Sequence, residues 1–269
     1  MPAALSHEVS AYNLSANSEN QIHDDAVAQR FGFQGGLVPG VEIYAYMTNL
    51  PVRYFGTDWL SVGTAECRFL KPVYDGRIAL ASASVKRDGA LAMKVESEGV
   101  LCGSGIAAMR QVTTAPDISA YATAALPDYD TRPDATPKVL VEGQVMGTFE
   151  TAADAEELSQ YLKDVREDLP IYTNQRIVHP GWLLRLANRA LSMNVKLGPW
   201  IHVGSRLENF ATSHYGDLVE ARATISRQYE HKGHRFVELD VLLIANGKTI
   251  LTRVDHTAIY QPRQVAAVA

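Results

Sequence analysis

The sequence predicts an α+β protein made of two tandem copies of one unit, in which an antiparallel sheet wraps around a central helix. Three observations predict this fold class: an internal repeat, an apolar helix that follows a Pro-Gly turn in each half, and apolar alternation between tight turns. A repeat of long period dictates the architecture, because each copy must form the same supersecondary unit.

The internal repeat is gapless between residues 39–78 and residues 180–219, at a constant offset of 141. Glycine, proline and tryptophan are rare enough that chance is a poor explanation for the matches. The matched pairs are Pro39 with Pro180, Gly40 with Gly181, Leu50 with Leu191, Trp59 with Trp200, Val62 with Val203, Gly63 with Gly204, Phe69 with Phe210 and Tyr74 with Tyr215. The opening stretches, residues 7–16 and 143–152, pair at an offset of 136, which predicts about five extra residues before the second Pro-Gly turn.

Each copy is predicted to form, in order, a short strand, a connecting segment, a helix of about 12 residues that begins at the Pro-Gly turn, and several strands. The helices contain YAYMTNL and LLRLANRAL, which are apolar with little charge, so both must be buried against the sheet. Strands that follow one another through tight turns form an antiparallel sheet. The alternating runs are residues 77–89, 90–100 and 101–112 in the first copy and 217–230, 234–247 and 248–260 in the second.

The chain divides into a first copy at residues 1–112, a linker at residues 113–138 and a second copy at residues 139–269. The linker is rich in proline, alanine and threonine and lacks apolar periodicity. Each copy alone would leave an edge strand open, so we expect the two copies to join edge to edge in one long sheet.

Composition and charge exclude several classes of protein. The 269 residues are 46% hydrophobic and 20% charged, which is typical of a globular chain, and the net charge of −5 offers no basic surface for nucleic acid. No apolar run is long enough for a membrane span and the first residues lack a secretory signal, so we expect a cytoplasmic protein that binds no membrane. Cys67 and Cys102 are too few for a disulfide framework or a zinc site. We expect Cys67 to be a small buried side chain, with a reactive thiol as the alternative.

The stretch SENQIHDDAVAQRFGFQGGLVPG, from Ser18 to Gly40, contains the residues best suited to chemistry. Asn20 and His23 are three residues apart, and a short polar helix and a glycine-rich turn lead from them to the central helix. A histidine exchanges protons near neutral pH, so His23 is a candidate general acid or base. Asn20 has a donor and an acceptor and is predicted either to orient a water molecule or to hold the histidine tautomer.

This stretch resembles the motif of the (R)-specific enoyl-CoA hydratases and MaoC-like dehydratases, a group with the hotdog fold. Their motif runs Asp, any residue, Asn, Pro, an aliphatic residue and His; here the corresponding residues are Ser18, Asn20, Gln21, Ile22 and His23. The segment RFLKPVYDG, residues 68–76, is also similar to the strand that follows the central helix in that group. The resemblance covers most of the first copy, whereas the second copy matches only the scaffold, and together they imply a double hotdog.

The resemblance implies a hydro-lyase that reversibly hydrates a trans-2-enoyl-CoA to a 3-hydroxyacyl-CoA. In that group an Asp and a His hold the water that is added across the double bond; here Ser18 stands at the Asp position and cannot act as a base near neutral pH. His23 would then be the general acid and base, with Asn20 positioning the water and Ser18 assisting by a hydrogen bond. The coenzyme A thioester is the substrate, no metal or other cofactor is implied, and a homodimer is expected.

The start of the first central helix is predicted to bind the substrate. Free N–H groups at a helix N-terminus carry partial positive charge, so the amide of Gly40 would polarise the thioester carbonyl, and a glycine allows the closest approach. Val41 follows it and is assigned to the same binding site. Tyr44 and Tyr46 are predicted to line an acyl tunnel, with core packing as the alternative.

Glu42 leads to an alternative function. It lies in the first turn of an otherwise apolar helix, where a carboxylate is either a partner of the helix dipole or a buried acid with a raised pKa. Hotdog thioesterases resemble the second arrangement, so a thioesterase that uses Glu42 is the first alternative, and a non-catalytic protein that binds acyl thioesters is the second.

The second copy has no counterpart of the Asn and His pair, so one site per chain is predicted. His179 replaces Val38 of the first copy and is expected to pack or to cap the helix. The residues predicted to lie at the surface or at an interface are His202, Arg206 and His214.

Overall fold

The computed structural model describes residues 5–16, 18–110 and 114–263. Within these ranges the chain forms helices and strands in the order that the repeat predicts. The elements of the first half are β1 (Leu5–Ser10), α1 (Asp25–Arg30), α2 (Gly40–Phe55), α3 (Trp59–Val62), β2 (Gly63–Phe69), β3 (Ile78–Val85), β4 (Leu91–Ser97) and β5 (Val100–Met109). Those of the second half are β6 (Phe149–Ala152), α4 (Ala155–Asp164), α5 (Ile171–Asn174), α6 (Pro180–Ser192), β7 (Ile201–Asn209), β8 (Leu218–His231), β9 (His234–Ala245) and β10 (Thr249–Gln261).

The ten strands in the described part of the chain form one antiparallel sheet, in the order β1-β3-β4-β5-β2-β7-β10-β9-β8-β6. The halves meet where β2 pairs with β7, for example at Ala65 opposite Leu207. The joint removes the open edge that each half would otherwise expose. The expected α+β architecture and the expected edge-to-edge junction are therefore confirmed.

The two central helices, α2 and α6, both begin at a Pro-Gly turn and lie on the same side of the sheet. Residues 41–52 of α2 are buried without exception, which explains its nearly uncharged sequence. The helices approach each other closely, because a Cβ atom added to Gly181 would lie 2.7 Å from the Cβ of Ala45. A glycine at this position lets the helices share one apolar core.

The pairing of the opening strands corrects the offset inferred from sequence. Val9 in β1 pairs with Ala79, and Glu150 in β6 pairs with Glu220, so the offset is 141 here as well. The predicted five extra residues in the second copy are wrong. The register of these short edge strands follows their partner strand, whereas their own side-chain pattern is too weak to specify it.

The segment predicted as a linker is held against the second half. The hydroxyl of Tyr121 lies 3.1 Å from both carboxylate oxygens of Asp240, and Arg222 donates to the carbonyl of Tyr121 at 2.9 Å. Arg132 is 4% exposed and donates to Glu19, beside the candidate motif. The predicted boundary between first copy and linker, at residues 112 and 113, lies outside the described residues. None of the described helices is both long and apolar enough to cross a membrane.

Candidate active site

A single turn of 3-10 helix, residues 21–23, carries His23. The side-chain oxygen of Asn20 caps this turn by accepting from the N–H of Ile22 at 3.3 Å. Ile22 is 1% exposed and packs in a small apolar cluster with Ala28 and Leu37. The packing of Ile22 fixes the position of the turn and therefore the orientation of the imidazole ring of His23.

Two hydrogen bonds set the tautomer of His23. Its Nδ1 lies 2.6 Å from the carbonyl oxygen of Leu37, and because a carbonyl only accepts, Nδ1 carries the proton. Its Nε2 lies 3.2 Å from the amide nitrogen of Asn20, which donates to it. Burial lowers the pKa of His23 from 6.5 to about 4, so the ring is neutral at pH 7 with its basic nitrogen at Nε2.

Asn20 also joins the two halves of the chain. Its amide nitrogen donates to the carbonyl of Trp200 at 3.0 Å, and its oxygen accepts from the N–H of Trp200 at 3.1 Å. This bidentate pairing uses both ends of the amide. Of the two roles considered from the sequence, the contacts favour holding the histidine over orienting a water molecule.

The first turn of α2 presents free N–H groups. The carbonyl of Pro39 accepts from Glu42 at 3.0 Å and from Ile43 at 3.3 Å, so the N–H groups of Gly40 and Val41 precede the first bonds of the helix. Pro39 provides no side-chain cap. A Cβ atom on Gly40 would lie 2.7 Å from the ring of Phe69, so glycine is required here.

Two adjoining cavities bring the predicted residues together. His23, Asn20 and Gly40 line a cavity of about 250 Å³, whose walls are largely apolar. A second cavity of about 230 Å³ is lined by Ser18 and Val41, and again by Asn20 and His23. The residues common to both walls are Asn20, His23, Pro39, Asn188 and Trp200. An extended ligand could therefore run from one cavity to the other past the imidazole.

Glu42, Tyr44 and Tyr46 lie on α2 but face the core rather than these two cavities. The carboxylate of Glu42 is fully buried, 3.7 Å from the guanidinium of Arg185, and has no hydrogen-bond partner within the described ranges. Burial raises the pKa of Glu42 from 4.5 to about 7, against the smaller opposing effect of Arg185. Tyr46 accepts a hydrogen bond from the N–H of Tyr12 at 3.3 Å.

Sequence reasoning missed two polar residues of the second half. Asn188 on α6 lines both cavities, and its side-chain oxygen is buried without a hydrogen-bond partner among the described residues. His202 on β7 lines the larger cavity and is 5% exposed, so its predicted place at the surface or an interface is wrong. A signal was present for Asn188, because the repeat aligns it with Met47, a core residue of the first copy.

His179 caps α6, which is one of the two roles expected for it. Its Nδ1 accepts from the N–H of Gly181 at 3.0 Å, and its Nε2 lies 3.2 Å from a carboxylate oxygen of Glu167. Cys67 and Cys102 are buried free thiols, and the burial of Cys67 was predicted. Within residues 5–16, 18–110 and 114–263, no three His, Cys, Asp or Glu side chains form a group that could hold a metal ion.

Comparison with solved structures places this arrangement among known folds. A conserved hypothetical protein of Mycobacterium tuberculosis with a double hotdog fold superimposes with a TM-score of 0.62 at 14% identity, covering 96% of both chains. The chain has a double-hotdog fold. A MaoC-like dehydratase aligns with a TM-score of 0.62 at 13% identity over 95% of this chain and 98% of the other. A MaoC domain protein from Chloroflexus aurantiacus gives 0.60 at 12% identity over 97% and 94%.

A solved structure with another assigned activity is also similar to this chain. This protein, assigned as a thioesterase and from Novosphingobium aromaticivorans, aligns with a TM-score of 0.52 at 13% identity, over 97% of this chain and 99% of the other. No family model matches the sequence, and no curated protein matches it significantly. At these identities the comparisons establish the fold, and the chemistry must be argued from the residues.

Proposed function

We propose that this double-hotdog protein is a MaoC-like hydro-lyase that reversibly hydrates a trans-2-enoyl thioester, carried by coenzyme A, to a 3-hydroxyacyl thioester. The observation that carries the proposal is that His23 and Gly40, whose N–H is free at the start of α2, line one cavity. A base and an oxyanion-stabilising dipole are the two groups that addition of water to an enoyl thioester requires.

The proposed chemistry begins with the neutral imidazole of His23. Its Nε2 takes a proton from water while the water oxygen bonds to C3 of the enoyl group. The electron pair of the C2=C3 bond moves towards the thioester oxygen, where the N–H groups of Gly40 and Val41 stabilise the enolate. The imidazolium then returns its proton to C2, which completes the addition. Because a low pKa makes the imidazolium a strong acid, this return is favourable.

Asn20 and Ser18 support these steps differently. The amide nitrogen of Asn20 donates a hydrogen bond to Nε2 of His23 at 3.2 Å. When the water binds, this hydrogen bond must break, or Nε2 must accept from both Asn20 and the water. Ser18 is exposed on the wall of the smaller cavity and can donate a hydrogen bond to the water, but it cannot remove a proton from it. The absent carboxylate leaves one base, and loss of a general base typically costs about 10² to 10⁴ in rate, so we expect slow turnover of simple enoyl thioesters.

The proposal is tested by incubating the purified protein with crotonyl-CoA and with longer trans-2-enoyl-CoAs. Enoyl absorbance should fall without release of free thiol, and His23→Ala should lower the rate by about 10² to 10⁴. His214→Ala is the matched control, because His214 is exposed and lies outside both cavities. Hydration that persists unchanged in His23→Ala would refute the assigned base.

A thioesterase is the second candidate, and the state of Glu42 is the observation that favours it. A buried carboxyl with a pKa raised to about 7 has the basicity expected of a residue that activates water. In that case thiol release would depend on Glu42 and survive in His23→Ala. We place this candidate second because Glu42 faces the core while His23 and Gly40 line the cavity.

A further inference from the structure

We propose that His202 is a second hydrogen-bond donor to the thioester carbonyl, acting beside the start of α2. In this proposal Ser205 and His256 are positioning residues that hold His202 in the donor tautomer. The inference rests on the thioester-binding part of the proposed function and extends it to the second half of the chain.

His202 is a buried polar side chain whose Nδ1 has no hydrogen-bond partner among the described residues. The residue is 5% exposed, and its Nδ1 makes no hydrogen bond within the described part of the chain. Nδ1 would lie 3.2 Å from a Cβ atom placed on Gly40, so it points at the first residue of α2. The ring of Phe69 packs edge-on against the imidazole at 4.9 Å between centroids. His202 lines the same cavity as His23, so Nδ1 borders the space in which we expect the thioester to bind.

On the side of the ring away from the cavity, Nε2 of His202 takes part in a chain of hydrogen bonds between buried polar side chains. Nε2 of His202 lies 2.9 Å from Oγ of Ser205, which lies 3.0 Å from Nδ1 of His256. The strands explain how residues three apart meet. Thr257 of β10 pairs with Gly204 but Ala258 pairs with His202, so a bulge in β7 returns His202 to the face that carries Ser205.

The single hydroxyl proton of Ser205 links the tautomers of the two rings. If Ser205 donates to Nε2 of His202, then Nδ1 of His202 carries a proton and Nδ1 of His256 donates to Ser205. The reverse arrangement places a proton on Nε2 of His256 and leaves Nδ1 of His202 without one. Neither nitrogen has a partner within the described residues, so in the free protein each arrangement leaves one ring N–H unpaired. A bound thioester oxygen accepts from Nδ1–H of His202 only in the first arrangement, so binding of the thioester favours that arrangement. Burial lowers the pKa of both rings, so both stay neutral at pH 7.

The favoured arrangement places two kinds of donor around one point. The N–H of Gly40 approaches from the helix and Nδ1–H of His202 approaches from the sheet, because both residues line the same cavity. A thioester oxygen has two lone pairs and can accept from both sides. Donors already oriented in a site that excludes water stabilise developing negative charge without reorganisation.

Two substitutions separate the role of Nδ1 of His202 from the role of its Nε2. In His202→Asn the side-chain N–H can occupy the place of Nδ1, whereas in His202→Gln the amide reaches Ser205 but leaves the place of Nδ1 empty. Butyryl-CoA carrying ¹³C at the carbonyl is bound to each protein, and the carbonyl stretch is measured by infrared difference spectroscopy. We expect a lowered frequency with the wild type and His202→Asn and a smaller shift with His202→Gln. Hydration by His202→Gln should fall about 10²-fold or more, mainly in kcat.

Equal carbonyl frequencies in the wild type and His202→Gln would overturn the proposal. If neither variant folds, ¹⁵N-histidine NMR of the wild type decides, since the proposal requires a protonated Nδ1 on His202 with butyryl-CoA bound and a deprotonated Nδ1 overturns it. The saturated thioester cannot be hydrated. A carbonyl shift that depends on His202, in a protein that hydrates no enoyl-CoA, would therefore refute the hydro-lyase and leave the role of His202 supported.

Discussion

Replacing Glu42 by glutamine should change the pH dependence of stability in a way that the buried carboxyl dictates. Its folded pKa is about 7, against an ordinary value of 4.5 that the unfolded chain restores. Between these values the folded state keeps a proton that the unfolded state releases, so ionisation favours unfolding. The contribution of Glu42 to stability is fully present below pH 4.5 and is lost as the pH rises to about 7. A difference of about 2.5 pKa units corresponds to about 3 kcal/mol.

Urea unfolding of the wild type and Glu42→Gln at pH 4.5, 6 and 8 measures this effect. Glutamine keeps the shape of the side chain but does not titrate. The free energy of unfolding of Glu42→Gln, relative to that of the wild type, should therefore rise by about 3 kcal/mol between pH 4.5 and 8. Effects of the buried histidines are common to both proteins and cancel. Glu8→Gln, at an exposed position of β1, is the control and should show no such trend. If the difference in free energy of unfolding between Glu42→Gln and the wild type does not change with pH, the conclusion that burial raises the pKa of Glu42 is wrong.

Three further predictions concern the cavity. The kcat/KM for enoyl hydration should fall with acid through about pH 4, because protonation of His23 removes the base, and a limb near pH 6.5 would contradict its lowered pKa. Asn20→Ala should lower the free energy of unfolding by about 1 to 3 kcal/mol in urea titrations, since the backbone of Trp200 loses two partners; an unchanged midpoint would show that this bridge is not needed. Gly40→Ala should raise KM, because the added methyl group clashes with the ring of Phe69. Adding Phe69→Leu in the same chain should bring KM part of the way back to the wild-type value. If it does not, the packing explanation is wrong.

Much of the scaffold follows from the sequence because its signals are local. A Pro-Gly turn before an apolar run marks the start of each central helix, and α2 and α6 begin where predicted. Alternation and tight turns mark the long strands. The offset of 141 then fixes how the copies correspond. The offset of 136 inferred for the opening strands was wrong, because the register of these strands depends on distant partners.

The site was predictable only in its first half. Asn20 and His23 share a short motif, whereas the contact between Asn20 and Trp200 joins residues 180 positions apart and leaves no local mark. His202 was misplaced because a bulge in β7 breaks the alternation that would assign its face. The burial of Glu42 was one of two alternatives from the sequence, and only the packing of α2 against α6 selects it.

The central claim is that the imidazole of His23 and the N-terminal amides of α2 engage one bound thioester. A crystal structure with butyryl-CoA tests it most directly, because the saturated acyl group binds without reacting. We predict the thioester oxygen within hydrogen-bonding distance of the N–H of Gly40 or Val41, with C3 of the acyl chain beside Nε2 of His23. Butyryl-CoA bound elsewhere on the protein, or with its acyl chain directed away from His23, would contradict the account.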